Sequence, residues 1–134
     1  MTKGRSIVIA AAIIVDEDGR TLLVRKRGTA SFMQAGGKID DGEEPEDALR
    51  RELREELGSG PAGQPTALGT RTAPAANEPD FEVVAHLFGV ELSEPPAPAA
   101  EIEEMIWVSP EKARALELAP LTRHHVLPIV EQMQ

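Results

Sequence analysis

The apolar positions fall into runs of different period, and each period predicts a different element. Residues 7–15 (IVIAAAIIV) are apolar without alternation, the pattern of a central strand covered on both faces. Asp16-Glu17-Asp18-Gly19 reads as a turn. Residues 20–26 (RTLLVRK) predict a second strand, so that the two form a hairpin. Residues 32–35 predict a short strand leading into a glycine loop. From 45 to 57 the period changes to four: Leu49, Leu53 and Leu57 make the buried stripe of a helix. Pro45 suits its first turn and Gly58 its left-handed stop, while Glu43, Glu44, Glu46 and Asp47 gather at the positive end of its dipole.

Beyond the helix, residues 58–65 are a Gly/Pro loop. Residues 67–73 and 81–92 predict strands, joined by a loop holding Asn77, Glu78 and Pro79. Residues 93–100 (SEPPAPAA) form a proline-rich connector that cannot enter a sheet interior. Residues 102–108 predict the last strand. Ser109 then serves as N-cap and Pro110 as first residue of a short helix reaching 116. A terminal helix over 121–133 should break or kink at Pro128. Strands with one central and one C-terminal helical region predict an α/β class with a mixed sheet.

Length and charge narrow the picture. A chain of 134 residues predicts one domain over 1–134. It has no cysteine, which removes disulfides and thiolate metal sites and is compatible with a reducing cytoplasm. The apolar run 7–15 is too short to span a membrane and has no cleavage pattern. A net charge of −9 disfavours nucleic acid polymers, which need a basic footprint. The acid is concentrated between Asp40 and Glu56 and again at Glu101, Glu103 and Glu104, where an anionic substrate can bind only if cations invert the local charge.

The acidic helix carries the candidate chemistry. At about 100° per residue, Glu52, Glu55 and Glu56 fall on one arc roughly 100° wide beside the leucine stripe. Like charges at helical spacing repel. An oxygen-rich, thiolate-free cluster suits a hard divalent cation such as Mg²⁺ or Mn²⁺. The loop of residues 36–42 contains three glycines, and such a loop lets a backbone carbonyl approach the same ion.

The whole stretch of residues 36–59, GGKIDDGEEPEDALRRELREELGS, resembles the Nudix box of the Nudix (MutT-like) hydrolases. The match holds everywhere except the last position, where Ser59 stands in place of an aliphatic residue. Ala35 also replaces the proline that often precedes the glycines. The resemblance implies the Nudix fold, a mixed β-sheet sandwiched between helices. It implies a metal-dependent pyrophosphohydrolase acting on a nucleoside diphosphate linked to a further group X, such as a nucleoside triphosphate. Glu52, Glu55, Glu56 and the Gly36 carbonyl would hold Mg²⁺ or Mn²⁺. Arg51 would orient a catalytic glutamate through an ion pair with Glu43. The general base is open between Glu52 and a glutamate outside the box, for which Glu101 is the choice. The alternative is a Nudix-fold ligand-sensing module without hydrolysis, though such modules usually have eroded boxes. A homodimer is left open.

Outside the box, Arg25, Arg27 and Lys38 are candidate phosphate contacts, since arginine recognises oxygens in pairs. Trp107, Phe32 and His86 read as packed residues. No histidine has metal-site spacing.

Overall fold

In the computed structural model, which describes residues 5–134, the hydrophobic pattern becomes two small sheets with helices on both sides. The larger sheet holds β1 (Arg5–Ile13), β3 (Gly36–Lys38), β4 (Thr66–Pro74) and β5 (Phe81–Gly89), in the order β3-β1-β5-β4. It is mixed: β1 runs parallel to β5, while β3 and β4 pair antiparallel to their neighbours. The second sheet is an antiparallel pair of β2 (Thr21–Lys26) and β6 (Ile102–Val108).

The unbroken apolar run of β1 has a direct cause. Successive strand side chains face opposite sides. Ala10, Ala12 and Ile14 pack under helix α1 (Pro45–Leu57) against Leu49, Leu53 and Leu57. Ala11 and Ile13 pack on the other face against Leu121, Val126 and Val130 of the C-terminal helical segment. The three leucines of α1 are fully buried, each worth about 1.5–3 kcal/mol over exposure. A third cluster, Leu23, Phe32, Val108, Ala113, Leu118 and Leu127, joins the β2/β6 sheet to the short helix α2 (Pro110–Ala113) and the C-terminal helical segment.

Several expectations are corrected. The hairpin of the first two strands exists only at its turn, where Asp16 N–H donates to Arg20 C=O and Val15 bridges Thr21. Beyond it the chain changes sheets: β1 takes β3 and β5 as partners, and β2 takes β6. Residues 32–35 are not a ladder strand. Phe32 and Met33 make isolated bridges, and the glycine segment itself is the strand. Glycine permits this, because Gly36 has φ +146° and a Cβ there would run into the Ala10 backbone.

Pro128 does not break the terminal helix. It lacks an N–H to give to the preceding turn, and the backbone answers by widening. Thr122–Val126 is π-helical, Leu127 N–H donates to Thr122 C=O, and α3 (Leu127–Gln132) continues directly. Among the described residues no helix is long and apolar enough to cross a membrane.

Candidate active site

Strand β3 and helix α1 form one unit, and the site grows from their contact. Glu44 is the N-cap of α1, Pro45 opens it, and Gly58 ends it with φ +69° and its N–H on the Arg54 carbonyl. That length fixes which residues face β3. Glu56 is turned inward, 4% exposed, and Gly36 N–H donates to its Oε1 at 3.0 Å. Burial raises the Glu56 carboxyl to about 7, helped by the nearby charges of Glu52 and Glu101 and opposed by the Gly36 hydrogen bond and Lys26. Gly37 leaves room for Glu52, because a Cβ at Gly37 would occupy the place of the Glu52 carboxylate.

Arg51 ties the loop to the helix. Its Nε donates to Glu43 Oε2 at 3.0 Å and its Nη2 to Glu43 Oε1 at 2.8 Å, a two-pronged grip. Nη1 donates to Glu52 Oε2 at 2.8 Å, and Nη2 also reaches the Lys38 carbonyl at 3.1 Å. The Arg51 hydrogen bonds, joined by one from Asp40 N–H, hold the Glu43 carboxyl down to about 2. Arg51 is pushed higher still by the same partners. Glu55 lies outside this lock, over half exposed, 3.8 Å from Arg51 Nη1.

The three glutamates of the arc therefore have separate surroundings: Glu52 beside Arg51, Glu55 in solvent, Glu56 beneath Gly36. Among the described residues no three acidic or histidine side chains are drawn together as a ready metal centre. The donor chemistry nevertheless fits a hard divalent cation. Every donor is an oxygen, no thiolate exists, and a bound cation would displace the proton of a buried carboxyl near neutrality into solvent.

The connector 93–100 is a strap on the end of α1. Ala99 N–H donates to the Glu56 carbonyl at 2.9 Å and Ala97 N–H to the Leu57 carbonyl at 3.0 Å, satisfying acceptors that a helix end leaves open. Ser59 is 1% exposed, and its hydroxyl both donates to Glu94 C=O (2.8 Å) and accepts from Glu94 N–H (3.0 Å). The hydroxyl thus ties Ser59 to the strap by hydrogen bonds where an aliphatic residue would supply packing. The strap ends at Ala100, φ +53°, and Glu101, whose carbonyl accepts from Arg27 N–H at 2.8 Å. Glu101 is exposed and near enough to influence Glu56.

A cavity of about 150 Å³ opens beside β3, with Gly36, Gly37 and Lys38 on one side. Lys26 lines it too. Arg25 and Arg27 do not line it. Arg25 is engaged by Glu104 at 3.1 Å and by the Thr29 carbonyl, Arg27 by Glu103 at 3.7 Å and by the Ala100 carbonyl. Two residues on the cavity wall escape sequence reading, Lys26 and Gln34. Lys26 differs from its two arginine neighbours only in pleat phase, which needs the strand register. Gln34 had a signal, as the one polar residue in the short run 32–35 after Ser31.

A family model described as the NUDIX domain matches residues 5–128. The CTP pyrophosphohydrolase of Escherichia coli K12 is 30% identical over 119 residues, covering 85% of this chain and 84% of that protein. The 8-oxo-dGTP diphosphatase of Haemophilus influenzae is 46% identical over 56 residues, and there the match spans only 39% of this chain and 41% of the relative. Among solved structures, a MutT NUDIX hydrolase from Burkholderia pseudomallei superposes with TM-score 0.73 at 27% identity, covering 97% of this chain and 99% of that one.

Proposed function

The chain belongs to the NUDIX family, and from that premise we propose that it is a metal-dependent pyrophosphohydrolase of nucleoside diphosphates linked to a further group, with a nucleoside triphosphate as the favoured substrate. The observation that carries this reading is the strand of Gly36 and Gly37, with the Glu56 and Glu52 carboxylates against it and a cavity beside it whose wall includes Lys26 and Lys38. The relatives named for CTP and 8-oxo-dGTP point to the same substrate class.

Glu52, Glu55, Glu56 and the Gly36 carbonyl hold Mg²⁺ or Mn²⁺ in this reading. When bound, the metal neutralises pyrophosphate oxygens and makes water easier to deprotonate. The protein's own residues do the rest. Arg51, braced by Glu43, holds the Glu52 carboxylate in place through Nη1. Glu52 or Glu101 takes the proton from the attacking water. Lys26 and Lys38 meet the phosphates on the cavity side, while Arg25 and Arg27 fix Glu104 and Glu103 behind them. In-line attack on one phosphorus breaks the P–O–P bond and yields two phosphorylated fragments.

The test is a panel of nucleoside triphosphates and sugar nucleotides incubated with Mg²⁺ or Mn²⁺, with products identified by mass. A nucleoside monophosphate and pyrophosphate from a triphosphate supports the reading. Tight nucleotide binding with no turnover across the panel overturns it in favour of a ligand-sensing module.

A further inference from the structure

Gln34 is 6% exposed, and its side-chain amide is only half satisfied. The Thr122 hydroxyl donates to Gln34 Oε1 at 3.2 Å, while Gln34 Nε2 has no partner among the described residues. A buried donor without an acceptor is costly. A fold that keeps such a group calls for an explanation, and a ligand acceptor is one. Gln34 lines the cavity beside β3. The wall it shares includes the aliphatic side chains of Ile7, Ile9, Val83 and Leu121, with Asn77 and Glu78 also on the lining. The same cavity reaches Gly37 and Lys38, next to the glutamate helix. A nucleotide with its phosphates at that end has only its base left to fill the other.

The geometry points to Gln34 as the residue that reads the base, donating from Nε2 to a carbonyl oxygen on it. Thr122, fully buried at the start of the π-helical turn, occupies the amide oxygen and leaves the nitrogen as the unpaired end of a side chain that lines the cavity. The consequence is a substrate class within the proposed activity, on which this inference rests. Bases bearing a carbonyl meet a donor with an acceptor. Adenine presents an amino group at the place where guanine and hypoxanthine carry the oxygen, and sets donor against donor. The aliphatic part of the wall accepts the flat face of any base, and the Gln34 contact adds discrimination at its edge.

Inosine and adenosine nucleotides share sugar and phosphates and differ only along the C6–N1 edge of the base, oxygen beside N1–H against an amino group beside a bare N1, which makes the test direct. Wild-type protein should prefer inosine triphosphate over adenosine triphosphate in kcat/KM by about tenfold or more, the size of one hydrogen bond. Gln34→Met should bring the ratio close to one, with a melting temperature equal to or above wild type, because an unsatisfied buried donor has gone. Gln34→Glu, which offers an acceptor in the same shape, should reverse the preference. A binding arm separates this inference from the enzymatic reading: the Gln34 side-chain amide resonances should shift with inosine monophosphate and hardly with adenosine monophosphate, whether or not anything is hydrolysed. An inosine preference that survives in both variants overturns the assignment. So does a wild-type preference for adenosine, or an amide that responds equally to both monophosphates.

Discussion

Arg51 and Glu43 are joined by two parallel hydrogen bonds, and the same guanidinium holds Glu52. Glu43 comes from the loop before α1 and Arg51 from its middle, so the pair fixes loop to helix at the level of the candidate metal ligands. Removing either leaves the other's charge unanswered in a half-buried place. The single variants Glu43→Gln and Arg51→Gln should each lower kcat/KM, and the double variant should be little worse than the poorer single one. Strictly additive losses in that cycle would show that the two act separately.

The pair also sets an acid limit. Glu43 titrates near 2 in the fold, against an ordinary value of 4.5. A depressed carboxylate contributes stability that is present above about 4.5 and lost as pH falls toward 2. Thermal melts of wild type should therefore drop more steeply than those of Glu43→Gln between pH 4.5 and 2. Parallel melting curves would be evidence against the grip.

Glu56 behaves in the opposite sense. Its carboxyl is raised to about 7 from 4.5 by burial, so the folded chain holds a proton that the unfolded chain releases earlier. Stability from this group is fully present below 4.5 and is lost as pH rises through about 7. At about 1.4 kcal/mol per pH unit the change is at most on the order of 3 kcal/mol. Chelator-treated protein should melt lower at pH 8 than at pH 5, and Mg²⁺ should restore the difference at pH 8 by binding the ionised carboxylate. Glu56→Gln should flatten the pH dependence, remove the response to Mg²⁺ and reduce turnover by about a hundredfold or more. A Mg²⁺-induced rise in melting temperature that persists in Glu56→Gln would remove this residue from the ligand set.

Ser59 gives a test of the strap. Its hydroxyl makes two part-buried hydrogen bonds to the Glu94 backbone. Ser59→Val would remove both and should cost about 1 kcal/mol, seen as a lower melting temperature. If the strap holds Glu101 near the helix end, kcat should fall as well. A valine variant as stable as wild type would mean that packing alone suffices there.

What the sequence revealed follows the range of the interactions. Helix α1 was legible to the residue because proline, the leucine period and glycine are local signals. The two-faced burial of β1 was legible because no polar residue interrupts it. Strand partners were not: the turn at Asp16 to Gly19 is a local hairpin signal, while the separation of β1 from β2 is decided by β5 and β6, far along the chain. The same holds at the site. Glu43 and Arg51 lie eight residues apart within the box and their pairing is what the resemblance implies, but Gln34 and Thr122 are 88 apart and meet only through the fold. Pro128 announced a disturbance, and only the packing of Val126, Leu127 and Val130 determined that the helix widened and continued.

Glu101 and Glu52 are the two candidates for the proton-accepting base. Glu101 stands at the end of the strap that covers the last turn of α1, and its backbone carbonyl is held by Arg27 N–H at 2.8 Å. The backbone is thus anchored while the side chain is exposed and free to turn. The charge of Glu101 is among those that raise the Glu56 carboxyl. Glu52 competes for the role, but its Oε2 is committed to Arg51 Nη1 at 2.8 Å. Glu101, without such a partner among the described side-chain contacts, is the more available acceptor. Glu101→Gln should lower kcat at saturating metal by about a hundredfold, leave the melting temperature unchanged, and abolish the rise of kcat with pH on the acidic side. Glu52→Gln should instead weaken metal binding, seen as a higher Mg²⁺ concentration at half-maximal rate. If Glu101→Gln retains wild-type kcat and its pH profile, proton transfer belongs to Glu52, and Glu101 is surface charge at the edge of the site.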